Sequence, residues 1–186
     1  MARMNRYVAL LRGINVGGRN PIRMTELRRC FEEQGFRDVA TYIQSGNLLF
    51  TTAESRRGDL VRRIEELLAL TFNYRASVVL RSRRQMQSIV ARAPKGFGTE
   101  PTKYRYDVIF LKAPLTASAA MKSVVLKEGV DEAHAGPGAL YFSRLSSKAA
   151  QSRINKLVVL PIFKQMTIRN WNTTTKLLRL LEDAAG

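Results

Sequence analysis

Residues 39–52, VATYIQSGNLLFTT, decide how the first half of the chain folds. Val39–Gln44 and Leu48–Thr52 are short β-prone runs. Ser45-Gly46-Asn47 between them is turn chemistry, so the stretch predicts a hairpin. A helix is predicted on each side. Upstream, Leu27, Cys30, Phe31 and Gln34 fall at i, i+3, i+4 and i+7, with Gly35 as a stop. Downstream, Leu60, Val61, Ile64, Leu67 and Leu68 form a second amphipathic face. Arg6–Leu11 before and Ser77–Arg81 after read as strands. The resulting order, β-α-β-β-α-β, is the split βαβ of a ferredoxin-like unit.

The same order returns in the second half, as a pattern without residue-level identity. Tyr104–Leu111 reads as a strand. Thr116 caps a helix with Ala120, Met121, Val124 and Val125 inward and Gly129 as its stop. Val130–Ala135 and Ala139–Leu145 flank the turn Gly136-Pro137-Gly138. Ile154, Leu157 and Val158 mark a helix ending before Pro161, Gln165–Ile168 a strand, and Asn172–Glu182 a last helix. Between the halves, Ser82 and Gln85 form a capping-box pattern ahead of a helix with Met86, Ile89 and Val90 inward. Ala93–Pro101 reads as a linker. The fold class is therefore α+β, two tandem ferredoxin-like subdomains with an added C-terminal helix. The expected boundaries are 1–93, a linker at 94–101, and 102–186. Val8–Leu11 and Val108–Leu111 are apolar without alternation, which predicts that both faces of each sheet are covered.

Composition narrows the function classes. The chain has 186 residues, 31 Lys plus Arg against 15 Asp plus Glu, and a net charge of +16. The charge is shared by both halves, so there is no basic tail, and polyanions are the natural partners by long-range attraction. Arg56, Arg57, Arg62 and Arg63 beside Glu65 and Glu66 read instead as a solvated helix face. Apolar runs are far shorter than the ~20 residues that span a bilayer. Tyr7–Leu11 is too short for the core of a signal peptide. Cys30 has no intrachain partner, so a disulfide scaffold is excluded and a cytoplasmic home is the expectation.

Three segments concentrate unusual chemistry. In the first, Arg12-Gly13-Ile14-Asn15-Val16-Gly17-Gly18-Arg19-Asn20, glycines permit a nest of backbone N–H groups that binds anions, with Arg12 and Arg19 as clamps. It lacks the Gly-Lys-Ser/Thr of a P-loop, and the plainer reading is a wide turn. The second is Tyr42-Ile43-Gln44-Ser45-Gly46-Asn47, where Ser45 and Asn47 offer polar groups at the hairpin. The third runs from Thr167 to Lys176. Asn172 or Thr173 would cap the last helix. Trp171 would either staple that helix to the core or stack a base, with Arg169 and Lys176 near its phosphate. Lys95-Gly96-Phe97-Gly98 imitates the opening of an RNA-recognition signature, but Thr99-Glu100-Pro101 breaks it.

Enzyme chemistry is thinly supplied. His134 is the sole histidine and Cys30 the sole thiol, so a His/Cys metal cluster within one chain is excluded, and no triad or carboxylate-pair motif is evident.

Tyr7 to Gly18, Thr41 to Asn47 and Thr167 to Thr173 together resemble a mainly bacterial family, domain of unknown function 1697. The resemblance implies two α+β subdomains, the first ferredoxin-like, and implies no activity, substrate or cofactor.

The expected function is binding of a phosphate-bearing ligand, above all nucleic acid, without a cofactor or metal. Its expected site comprises Arg12, Gly13, Asn15, Gly17, Gly18, Arg19, Ser45, Asn47, Arg169, Asn170, Trp171, Asn172 and Thr173. The rivals are an enzyme acting on a small phosphorylated or carboxylated metabolite between the subdomains, and a structural or interaction module.

Overall fold

The computed structural model describes residues 4–14 and 21–183. The chain divides into two compact units, Met1–Arg84 with Arg179–Gly186, and Gln85–Leu178.

The first unit follows the predicted order: β1 (Asn5–Leu11), α1 (Met24–Glu33), β2 (Arg37–Tyr42), β3 (Asn47–Thr52), α2 (Arg57–Phe72) and β4 (Val78–Ser82). Its sheet is antiparallel with strand order β2-β3-β1-β4, the ferredoxin-like arrangement. Leu27 and Phe31 of α1 and Leu60, Ile64 and Leu68 of α2 share one core with Tyr7, Ala9 and Leu11 of β1. Phe31, Phe36 and Phe50 pack there with ring centroids 4.7–5.7 Å apart. Val8, Leu10, Leu49 and Val79 alternate with these along the strands and are buried as well, which accounts for the unbroken apolar run in β1. Cys30 is core, its Sγ 3.5 Å from the Thr71 hydroxyl. Arg28–Glu32 and Arg29–Glu33 are exposed i,i+4 pairs, and Asp59 holds Arg56 and Arg62, so much of this surface charge is locally paired.

After α3 (Arg83–Ala91), the second unit comprises β5 (Tyr104–Leu111), α4 (Ala117–Met121), β6 (Asp131–Gly136), β7 (Ala139–Leu145), α5 (Ile154–Val158) and β8 (Met166–Asn170), and α6 (Trp171–Asp183) follows. Its strand order, β6-β7-β5-β8, repeats that of the first unit position for position. Ile109, Leu111, Leu140, Phe142 and Met166 form one core with Ala120, Ile154 and Leu157. On the opposite face Val108, Phe110 and Tyr141 are buried too, and the Tyr141 hydroxyl donates to the Ile89 carbonyl of α3 at 2.6 Å. His134 is exposed on the edge strand β6.

Three local expectations differ from the structure. Thr116 does cap α4, accepting from the Ala119 N–H at 3.2 Å, but the helix ends at Met121 and Val125 is exposed. Beyond it the Asp131 carboxylate accepts the N–H groups of Lys127 and Arg153, at 3.0 and 2.8 Å, and this holds the chain in turns. Residues 94–101 are not an open connector. They are turns closed by Phe97 N–H to Pro94 and Thr99 N–H to Gly96, and they belong to the second unit. Finally, the cap of α6 is Asn170, whose Oδ1 accepts from the Thr173 N–H at 2.7 Å, rather than Asn172 or Thr173.

Candidate functional site

The second unit contains a hollow of about 330 Å³, large enough for a small ligand. It forms where β5 begins, with residues Tyr104-Arg105-Tyr106-Asp107. Register places Arg105 opposite Arg144 of β7 and Asp107 opposite Asn170 of β8. Strand alternation puts Asp107, Arg105, Arg144 and Asn170 on one face and the two tyrosines on the other. At the end of the sheet both sets line the hollow, with Trp171 and Asn172 at the start of α6 and Gly98 and Pro101 of the turn segment.

The aromatic wall is braced from behind. Phe97 packs edge-on against Tyr106, Tyr141 and Trp171, at 4.9, 5.5 and 5.1 Å between centroids. Gly98 has a φ of +87°, in the left-handed region, and a Cβ there would overlap the Trp171 indole. The glycine therefore serves both the turn and the close approach of the ring. Burial pushes the Tyr141 hydroxyl up to about 12, so it remains a donor to Ile89.

The polar side of the hollow is unusual. Asp107 is buried and its Oδ2 lies 3.2 Å from Arg144 Nη1, the one ion pair it makes among the described residues. Burial raises its carboxyl above the ordinary carboxylate range, and the positive charges of Arg144 and Arg105 offset only part of that rise. Arg105 itself is exposed, as are Asn170 and Asn172.

The residues expected from the sequence divide sharply. Asn170, Trp171 and Asn172 line the hollow. Arg169 does not: it is buried, its Nη1 donates to the Thr167 hydroxyl and the Ile168 carbonyl at 2.8 Å each, and burial lowers it to about 10. Thr173 is buried in the first turn of α6. Both are corrections, because side chains turned into the protein are not free to meet a phosphate.

The other two segments belong to the first unit. Asn47 is fully buried and closes the hairpin, its Nδ2 donating to the Tyr42 carbonyl at 3.0 Å and to the Ser45 hydroxyl at 2.9 Å, so the polar groups of Ser45 and Asn47 are engaged with each other. Gly46, with φ +73°, presses on Leu11 and Ile14, and a Cβ there would overlap both. The Arg12 N–H donates to Ser77 at 3.0 Å, the Arg12 carbonyl accepts from the Tyr74 hydroxyl, and Gly13 turns the chain at φ +72°. Asn15, Gly17, Gly18 and Arg19 lie outside the described residues.

Sequence reasoning missed Tyr104, Arg105, Tyr106, Asp107 and Arg144. The available signal was the aromatic–charged alternation of residues 104–107 just before an apolar run, which a reading focused on the strand passes over. Phe97 and Gly98, set aside with the false RNA-recognition signature, support the site without being a base-stacking strand.

A family model described as a protein of unknown function, DUF1697, matches residues 4–141. The match includes the first two segments and ends before the third. A solved structure, that of conserved bacterial protein SP0830 from Streptococcus pneumoniae, is similar with a TM-score of 0.84 and 29% sequence identity, covering 96% of this chain and 99% of that one. No curated protein matches the chain.

Proposed function

Since the chain belongs to the DUF1697 family, whose description names no ligand, we propose from the chemistry of the hollow that it binds a nucleotide unit, free or within a nucleic-acid strand. The observation that carries this reading is the meeting of Tyr104, Tyr106 and Trp171 with Arg105 and Arg144 in one hollow. Flat rings accept a base by stacking, worth about 1–3 kcal/mol per base. An exposed arginine at the rim supplies a planar, charge-assisted contact to phosphate. The net charge of +16 raises the local concentration of any such anion.

Trp171 is the sole tryptophan, so its fluorescence reports on the hollow directly. Titration with nucleoside monophosphates and with short single-stranded oligonucleotides is expected to change that emission. Tyr104→Ala and Arg105→Ala are expected to weaken the response. For a strand contacting ~5 phosphates, the log–log salt slope should lie near −3.5 to −4.5, and less steeply by about 0.7–0.9 in Arg105→Ala. No response to mononucleotide or strand at ~50 mM salt, where phosphate contacts are strong, overturns the reading. A response to oligonucleotides alone assigns the hollow to strands.

A further inference from the structure

Resting on that reading, we propose that Asp107 selects the ring: the hollow prefers a base presenting two adjacent N–H donors, as the Watson–Crick edge of guanine does. An ionised carboxylate accepts hydrogen bonds and donates none. Asp107 is a buried residue whose side chain keeps about 12% of its surface exposed, lines the hollow, and has one oxygen beside Arg144. No other side-chain hydrogen bond reaches it among the described residues. A carboxylate with a single charge partner has lone pairs left to accept with, and its charge strengthens each bond, so a ligand that brings donors is favoured over a ligand that brings a carbonyl.

Arg144 fixes the carboxylate and balances its charge, which lets an acidic group share a small hollow with a phosphate held at Arg105. Guanine meets the carboxylate with its N1–H and 2-amino group together. Uracil offers one N–H flanked by two carbonyl oxygens, both of which would face an acceptor. A site built on a buried polar group rejects analogues that leave the group unmatched more strongly than an apolar pocket rejects a change of size.

The test is titration of the full-length protein, followed by Trp171 fluorescence, with GMP, IMP and UMP. IMP keeps N1–H and lacks the 2-amino group. GMP is expected to bind roughly 5- to 150-fold more tightly than UMP, the range for a good bidentate contact, with IMP between them. In Asp107→Asn, shown to be folded by its thermal transition, the GMP/UMP ratio is expected to fall below about twofold, since a neutral amide cannot accept both donors. Equal affinities for GMP and UMP in the unaltered protein overturn the assignment of Asp107 while leaving the nucleotide hollow standing, and this comparison needs no variant. A GMP preference that survives Asp107→Asn also overturns it. No response to any of the three, with none to oligonucleotides, overturns both.

Discussion

The indole of Trp171 lies against the backbone of Gly98, so close that a Cβ at position 98 would overlap its Nε1 and Cδ1. The two residues are 73 positions apart, one in a turn and one at the start of α6, and together they set the shape of the hollow's aromatic wall.

Gly98→Ala tests that contact. The alanine meets both a left-handed φ and the ring, and the expected loss of stability is about 1–3 kcal/mol. Trp171 emission should shift to the red as the ring is pushed toward solvent, as read by fluorescence and urea unfolding. An unshifted spectrum would show that the turn can absorb a methyl group.

Arg169 tells structure from ligand binding. Arg169→Ala leaves the Thr167 hydroxyl and the Ile168 carbonyl without this donor and is expected to lower stability by about 1–3 kcal/mol. Nucleotide affinity at the hollow should fall far less than in Arg105→Ala, because Arg169 does not line it. Denaturant melts and Trp171 titrations on the same variant measure both.

Asn47→Ala removes a buried amide with two acceptors, the Tyr42 carbonyl and the Ser45 hydroxyl. The expected cost is about 1–3 kcal/mol, most of it from the carbonyl left unmatched in the hairpin. Binding in the second unit should not change. Hydrogen exchange should show faster opening of β2 and β3.

Asp107 gives a pH signature of defined sign. Its folded carboxyl is raised above the ordinary value of 3.8, because burial outweighs the attraction of Arg144 and Arg105. The folded protein therefore holds this proton more tightly than the unfolded chain does. The associated stability is fully present below about pH 3.8 and is lost as pH rises through the raised folded value. Asp107→Asn should lack this loss, seen as a flatter dependence of the urea midpoint on pH. GMP affinity should move the other way, falling as acid protonates the group, since a protonated carboxyl no longer accepts two donors.

The fold was legible because its signals are local and redundant. Leu27-Cys30-Phe31 and Leu60-Ile64-Leu68 mark helix faces by spacing alone, and Gly46-Asn47 fixes a hairpin. The strand order then follows from the ferredoxin-like pattern. The end of α4 was not legible, because Asp131, ten residues beyond Met121, captures the Lys127 N–H, a backbone donor that the longer helix would have used. The hollow was legible only at Asn170, Trp171 and Asn172. Asp107 and Arg144 are 37 positions apart, and only the pairing of β5 with β7 brings them together. Arg169 misled for a related reason: an arginine two residues from a tryptophan resembles a phosphate site in one dimension, while strand alternation turns it inward.

Arg169 has a counterpart. Arg81 faces Val8 in the first sheet as Arg169 faces Val108 in the second, and each bonds the carbonyl of the residue before it, at 2.9 and 2.8 Å. Both are buried, both are lowered to about 10, and both lie on an edge strand. A one-residue slip of either strand would drive a guanidinium to the helix-covered side, among hydrocarbon, so sliding is heavily penalised. An inward-turned charge at a sheet border also discourages a foreign strand from adding on. Each half of the chain thus carries, at the same station, its own guard against misalignment and filament growth.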